Sequence, residues 1–106
     1  MPKSLIDLIC DYISRVDAKY GVEKAYIFGS TAKGNRLEES DVDLIIVSKA
    51  FRGISLPERL YLLYRLWDHP IDLQVLAYTP EEYKEASQRL ILKEILSYAI
   101  ELIPQS

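Results

Sequence analysis

The spacing of apolar residues changes along this chain, and each change marks a different predicted element. Over residues 5–20 the apolar positions recur every three or four residues, which predicts an amphipathic helix of about four turns. Gly21 is a natural stop, because glycine readily adopts the left-handed conformation that ends many helices. Residues 22–28 predict a short strand that ends at Gly29, and residues 31–33 could form a short helical turn.

The middle of the chain alternates a strand, a helix and another strand. Val42–Val47 is an apolar, largely β-branched run, typical of a strand that is covered on both faces. Ser55 is expected to cap a helix that runs through Trp67 and ends before Pro70, because the residue before a proline is pushed out of the helical region. Residues 71–76 alternate apolar and polar side chains and predict a third strand.

The last third of the chain begins with a well-formed helix start. Residues 79–82 read Thr-Pro-Glu-Glu, which supplies a cap, a proline at the first helical position and an acid at the third. This helix is expected to break near residues 87–89 and resume to Tyr98. Residues 100–103 fit either a helix end or a small closing strand. The order of elements predicts one α+β domain over residues 1–106, an α/β sandwich in which a small mixed sheet of three to four strands packs against helices.

Composition narrows the function classes. Hydrophobic residues make up 49% of the 106 positions and charged residues 27%, as in ordinary globular domains, and no run of eighteen apolar residues suggests a membrane span. Thirteen basic against sixteen acidic residues give a net charge of −3, which disfavours stable nucleic-acid binding. The single cysteine excludes an internal disulfide, and the absence of an export signal predicts a cytoplasmic location.

Two aspartates at the start of the second predicted strand carry the strongest chemical signal. Because alternate residues of a strand project to the same face, Asp41 and Asp43 place two carboxylates side by side, with Val42 turned into the core. Like charges this close repel each other, and one or two Mg²⁺ ions are the simplest compensation, since Mg²⁺ takes oxygen ligands and leaves positions for phosphate oxygens. Asp72 would complete a cluster of three carboxylates if the third strand lies beside the second.

A glycine and a serine at the end of the first predicted strand fit a phosphate site. Gly29 lets the backbone approach a ligand closely, and the Ser30 hydroxyl with the amides of the following turn can hold phosphate oxygens. Lys33 could add positive charge or be a solvated surface lysine. Together with the carboxylates, these residues indicate phosphoryl-type transfer, in which two metal ions clamp the attacking and leaving oxygens of an in-line displacement.

The sequence around these residues resembles a known family. Phe-Gly-Ser-Thr-Ala-Lys-Gly at residues 28–34, then Ser-Asp-Val-Asp-Leu at residues 40–44 and a later strand carboxylate at Asp72, is similar to the minimal nucleotidyltransferases (MNT) of the DNA polymerase β-like superfamily. The resemblance covers roughly residues 22–47, with looser agreement around Asp72 and residues 79–82. It implies the nucleotidyltransferase fold.

The resemblance also implies roles for individual residues. Gly29 and Ser30 would bind the triphosphate. Asp41 and Asp43 would hold both magnesium ions. Asp72 would bind the catalytic metal and help to deprotonate the acceptor hydroxyl, which attacks the α-phosphorus of a nucleoside triphosphate and releases pyrophosphate.

One function is favoured and two others stay open. The favoured function is Mg²⁺-dependent transfer of a nucleoside monophosphate, with ATP as the expected donor, to an acceptor hydroxyl on a partner protein. MNT-type proteins resemble antitoxins that pair with a helical HEPN-type RNase, which implies such a partner and a homodimer or hetero-oligomer. The first alternative is a non-catalytic nucleotide-binding module that regulates a partner by binding. The second is a drug-modifying nucleotidyltransferase, which would need a second domain.

Overall fold

A computed structural model describes residues 5–29 and 41–102 of the chain. Within these residues the predicted α+β class is confirmed, and no helix is long and apolar enough to cross a lipid bilayer. The elements are helices α1 (Leu5–Tyr20), α2 (Leu56–Tyr64), α3 (Pro80–Ala86) and α4 (Leu90–Tyr98), a 3₁₀ turn (Lys49–Phe51), and strands β1 (Lys24–Phe28), β2 (Val42–Val47), β3 (Leu73–Tyr78) and β4 (Ile100–Leu102).

The strands form one mixed sheet in the order β3-β2-β1-β4. β1 is antiparallel to both β2 and β4, and β2 is parallel to β3. We call the side that carries Ile27 and Leu44 the closed face, because α1 and α2 cover it. We call the opposite side the open face. It carries Asp43, Ile45 and Leu76, and α3 and α4 pack on only part of it.

The predicted first helix is confirmed, and its apolar stripe covers the closed face. Ile9, Tyr12 and Ile13 are fully buried against the sheet, and the Tyr12 hydroxyl donates a hydrogen bond of 2.7 Å to the carbonyl of Leu63. Gly21 ends the helix with a φ of +81°. The sequence pattern therefore placed both the helix and its stop correctly.

Two boundaries differ from the sequence prediction. α2 ends at Tyr64 rather than beyond Trp67, because the amides of Leu66 and Trp67 bond to carbonyls three residues back, at 3.2 and 3.1 Å, and tighten the chain into turns. β3 begins at Leu73, two residues later than predicted, and continues to Tyr78.

The predictions for the C-terminal third are confirmed. Thr79 forms a capping box with Glu82 at the start of α3, and the helical segment breaks between Ala86 and Leu90. Of the two alternatives for the last segment, the structure has the small closing strand, β4. The short turn expected at residues 31–33 lies outside the described residues.

Candidate functional site

The two aspartates of the second strand lie at the centre of the sheet. Asp43 is the second residue of β2 and is flanked by Phe28 of β1 and Gln74 of β3. Strand alternation buries Val42 on the closed face and leaves Asp43 on the open face. Asp41 immediately precedes the strand, and its charge acts on Asp43. The pair therefore lies at the start of β2, an inner strand of the sheet.

The electrostatics of this pair are unfavourable for two ionised carboxylates. Partial burial raises the pKa of Asp43, and the charge of Asp41 raises it further. Within residues 5–29 and 41–102, neither carboxylate has a lysine or arginine as an ion-pair partner. The fold thus keeps two neighbouring acids whose repulsion is not offset by a nearby basic side chain of the described chain.

Gly29 lies directly against Asp43. Its φ is +73°, a conformation that favours glycine, and it follows β1, whose last residue pairs with Asp43. A Cβ at this position would overlap with Oδ2 of Asp43. Glycine is therefore required both for the turn and for the space beside the carboxylate. The predicted phosphate contacts Ser30 and Lys33 lie outside the described residues.

The backbone of Asp72 lies next to the Asp41 and Asp43 pair. Its carbonyl accepts a hydrogen bond of 2.9 Å from the amide of Val42, so the chain just before β3 lies beside the start of β2. Its side chain is exposed. In the described part of the chain no group of three or more acidic, histidine or cysteine side chains is close enough to hold a metal ion. The structure thus brings Asp41 and Asp43 together, whereas the metal role of Asp72 stays a prediction.

Gln74 is a site residue that sequence reasoning missed. Its side-chain Nε2 donates a hydrogen bond of 3.2 Å to Oδ2 of Asp41, across the parallel β2–β3 pair. The signal was present in Asp72-Leu73-Gln74, because residues two apart on a strand share a face. Gln74 therefore orients one of the two carboxylates.

A divalent cation fits the donor set of Asp41 and Asp43. Both groups supply hard oxygen ligands on one face, and their mutual repulsion is the kind that a cation relieves. Gly29 has no Cβ, and the carboxylate of Asp43 lies in the space that a Cβ would take. Phosphate oxygens would supply further ligands.

Comparisons with known proteins agree with this arrangement. The family model described as "Nucleotidyltransferase domain" matches residues 9–106. A crystal structure at 1.40 Å resolution of a Sulfolobus solfataricus protein, titled a "putative nucleotidyltransferase", has the same fold, with a TM-score of 0.63 and 24% identity over 76% of this chain and 72% of that chain. No curated protein matches this chain. The expected nucleotidyltransferase fold is confirmed, and the chain belongs to the nucleotidyltransferase domain family.

Proposed function

We propose that this chain transfers a nucleoside monophosphate from a nucleoside triphosphate, with ATP as the first candidate, to an acceptor hydroxyl in the presence of Mg²⁺. Family membership supports nucleotidyl transfer in general. The identities of the nucleotide donor, the cation and the acceptor are what we propose. The observation that carries it is the pair Asp41 and Asp43 on the open face, with the carboxylate of Asp43 packed against Gly29.

Asp41 and Asp43 are the residues that would hold the cation. When bound, Mg²⁺ would offset their charge and stabilise the negative charge that develops on the phosphate oxygens. Gln74 keeps Asp41 oriented through its amide hydrogen bond. Backbone amides after Gly29 would bind the phosphates, together with the predicted contacts Ser30 and Lys33.

The reaction has a simple balance of bonds. The acceptor oxygen forms a bond to the α-phosphorus, and the bond from that phosphorus to the pyrophosphate oxygen breaks. Pyrophosphate leaves with the electron pair, and the hydroxyl proton passes to the carboxylate of Asp72 as general base. Asp72 suits this role because its side chain is exposed beside the start of β2, where an acceptor can reach it.

The proposed acceptor is a hydroxyl on a partner protein, a helical one of the HEPN type, which the chain would neutralise as an antitoxin. The surface supports a protein partner. A groove of about 480 Å³ runs between β3 and α4, and Leu56, Leu76 and Ile91 line it with exposed fractions of 58%, 36% and 76%. Exposed apolar patches of this kind often mark protein-binding sites.

The proposal is tested by label transfer from α-³²P nucleoside triphosphates to a co-expressed partner, with and without Mg²⁺. Asp43→Asn should reduce transfer by about 100-fold or more, because it removes one of the two carboxylate charges that would hold the cation. Glu94→Gln makes the same chemical change at an exposed position of α4 and should leave transfer unchanged. Equal transfer by the two variants would contradict the proposal.

A non-catalytic nucleotide-binding module is the second candidate. One observation favours it, namely that the described side chains assemble two carboxylates rather than three. On this alternative, Asp43→Asn would leave neutralisation of the partner intact. On the proposed function, neutralisation is lost while the complex of the two proteins still forms.

A further inference from the structure

Gln74 connects the edge strand β3 to the carboxylate pair. Its Nε2 lies 3.2 Å from Oδ2 of Asp41. In the register of β2 and β3 its direct neighbour is Asp43, so the glutamine reaches diagonally along the strands to the other acid. Long side chains can span such a diagonal between adjacent strands. Gln74 therefore lies across from one carboxylate and donates a hydrogen bond to the other.

The chemistry of the amide determines what this hydrogen bond does. An ionised carboxylate only accepts hydrogen bonds, so the amide must present an N–H to Asp41. The amide carries no charge, and it therefore orients Asp41 without cancelling the negative charge that attracts a cation. A lysine or arginine in the same place would orient the acid and also neutralise it.

The second carboxylate is also in contact with the fold through one oxygen. Oδ2 of Asp43 lies against Gly29, in the space that a Cβ would take. Among residues 5–29 and 41–102, no hydrogen bond reaches Oδ1 of either Asp41 or Asp43. In this part of the chain the surrounding contacts therefore hold one oxygen of each acid rather than both.

Holding one oxygen bears on which cation the pair would accept. An acid whose Oδ2 is bonded to an amide offers a cation its other oxygen, so it acts as a ligand through one atom. Mg²⁺ requires short bonds in a nearly ideal octahedron, which single-oxygen ligands satisfy. Ca²⁺ takes more oxygens in a flexible geometry and often binds both oxygens of one carboxylate. A restrained Asp41 therefore disfavours the larger cation.

We propose that Gln74 is a positioning residue that discriminates between divalent cations, because it holds Oδ2 of Asp41 and keeps that acid from binding Ca²⁺ through both oxygens. This inference rests on the proposed function, which assigns the cation to Asp41 and Asp43. Gln74 is not itself a ligand of the cation. Without its hydrogen bond Asp41 is free to rotate, and the discrimination against Ca²⁺ decreases.

The test measures cation binding to the full chain in the absence of nucleotide and acceptor. Mn²⁺ loses its sharp solution electron paramagnetic resonance signal when it binds to a protein, so a titration gives its affinity. Competition with Mg²⁺ and with Ca²⁺ then gives the affinities of these two cations. Gln74→Met keeps the length of the side chain and removes the donor. Relative to wild type, it should raise the ratio of Ca²⁺ affinity to Mg²⁺ affinity by about fivefold or more.

Gln88→Met is the matched control. Gln88 is exposed in the segment between α3 and α4, and its side chain makes no hydrogen bond with the carboxylate pair. The control makes the same chemical change as Gln74→Met, and its ratio of Ca²⁺ to Mg²⁺ affinity should equal that of wild type. Circular dichroism checks that both variants are folded.

Infrared difference spectra provide a second readout that a purely structural role of Gln74 would not change. The separation between the asymmetric and symmetric stretches of a carboxylate narrows when one cation binds both of its oxygens. Addition of Ca²⁺ should narrow this separation more in Gln74→Met than in wild type or Gln88→Met. Addition of Mg²⁺ should give the same spectrum in all three proteins.

The outcomes separate this inference from the proposed function. If Gln74→Met has the same affinity ratio as Gln88→Met, or weakens Mg²⁺ and Ca²⁺ equally, the inference is wrong and the proposed function stands. The same holds if wild type binds no Mn²⁺ alone but binds α,β-methylene ATP in the presence of Mg²⁺. If wild type binds neither Mn²⁺ nor the analogue of any of the four ribonucleoside triphosphates, both proposals fall.

Discussion

The two faces of the sheet are formed by the same strands, but helices cover them to different extents. On the closed face Ile27, Leu44 and Ile46 are fully buried under α1 and α2. On the open face Ile45 is fully buried towards α4, but Leu76 on the edge strand is 36% exposed and Asp43 is only half-buried. The helices thus cover one face of the sheet completely and the other only in part.

The closed face stabilises the fold, whereas the open face carries the candidate site. Burial of the closed face supplies most of the apolar stabilisation, since the free energy gained scales with the apolar area removed from water. The open face retains two neighbouring acids and exposed apolar side chains that do not help the chain to fold. A fold with one complete core can tolerate such groups on its other side. Substitutions on the two faces and around them test this difference.

A leucine on each face gives the most direct contrast. Leu44→Ala removes a fully buried side chain from β2 and should lower the free energy of unfolding by about 3 kcal/mol, through lost burial and the cavity left behind. Leu76→Ala, on the open face, should cost less than about 1 kcal/mol. Urea denaturation followed by circular dichroism measures both. Equal losses would mean that the two faces do not differ as described.

Arg59 should be the next most sensitive position, because it connects α2 to the edge of the sheet. It is buried and donates hydrogen bonds to the carbonyls of Ile54 (2.8 Å) and Ala77 (3.1 Å) and to both carboxylate oxygens of Glu82 (2.6 and 3.2 Å). Arg59→Met should cost about 2 kcal/mol in urea denaturation, since it leaves buried acceptors unpaired.

An exposed arginine pair is the control for Arg59, and pH provides a second check. Arg52→Met breaks the exposed pair with Glu81 and should leave the free energy of unfolding almost unchanged, because solvent screens exposed ion pairs. The Arg59 hydrogen bond holds the pKa of Glu82 below its ordinary value, so this pair stabilises the fold above that value and loses the effect as the pH falls through the lowered pKa. Arg59→Met should weaken this acid-side loss of stability, and an unchanged pH profile would exclude the assigned role.

A comparison of alanine variants at Gly29 and Gly53 distinguishes the cost of backbone strain from the cost of a clash with Asp43. Both have positive φ, +73° and +78°, but a Cβ on Gly29 would overlap with Asp43, whereas one on Gly53 would have no heavy atom within 4 Å. Each change to Ala should cost about 1 kcal/mol for the backbone, and Gly29→Ala more because Asp43 must move. Thermal denaturation measures this difference. If the two variants have the same stability, Gly29 does not contact the carboxylate.

Asp43→Asn should have the smallest effect and the opposite sign. Folding raises the pKa of Asp43 through burial and the charge of Asp41, so ionised Asp43 disfavours the folded state. The cost is full at pH values above the raised pKa and disappears below the ordinary value. In metal-free buffer at pH 7 the variant should have a melting temperature slightly above that of wild type, and the gain should vanish near pH 3. A lower melting temperature at pH 7 would contradict this prediction.

Sequence periodicity predicted most of the fold because each element carries its own signal. The stripe of α1, the apolar run of β2 and the Thr79 cap of α3 depend on neighbours in sequence, and all three are confirmed. The end of α2 was placed too late, because the bonds from the amides of Leu66 and Trp67 to carbonyls three residues back do not show in the sequence pattern.

The site was less predictable than the fold. The alternation in Asp41-Val42-Asp43 sufficed to place two carboxylates on one face. The contribution of Gln74 depends on the register between β2 and β3, and the edge-on contact of Trp67 with Tyr12 depends on how the chain after α2 packs against α1. Such relations between distant residues arise only from tertiary packing. Trp67, which follows α2, packs on the core of the closed face and is only partly buried.

Calorimetric titration of nucleotide into the metal-loaded protein tests whether Asp43 takes part in binding nucleotide with Mg²⁺, and it requires no acceptor. We would titrate the α,β-methylene analogues of the four ribonucleoside triphosphates, ATP first, into wild type and Asp43→Asn, with Mg²⁺ and again with EDTA. We expect one analogue to bind the wild type in the presence of Mg²⁺. Asp43→Asn should weaken this binding by about tenfold or more, and EDTA should remove the difference in affinity between the two proteins. Equal affinity of the two proteins in Mg²⁺ would contradict it.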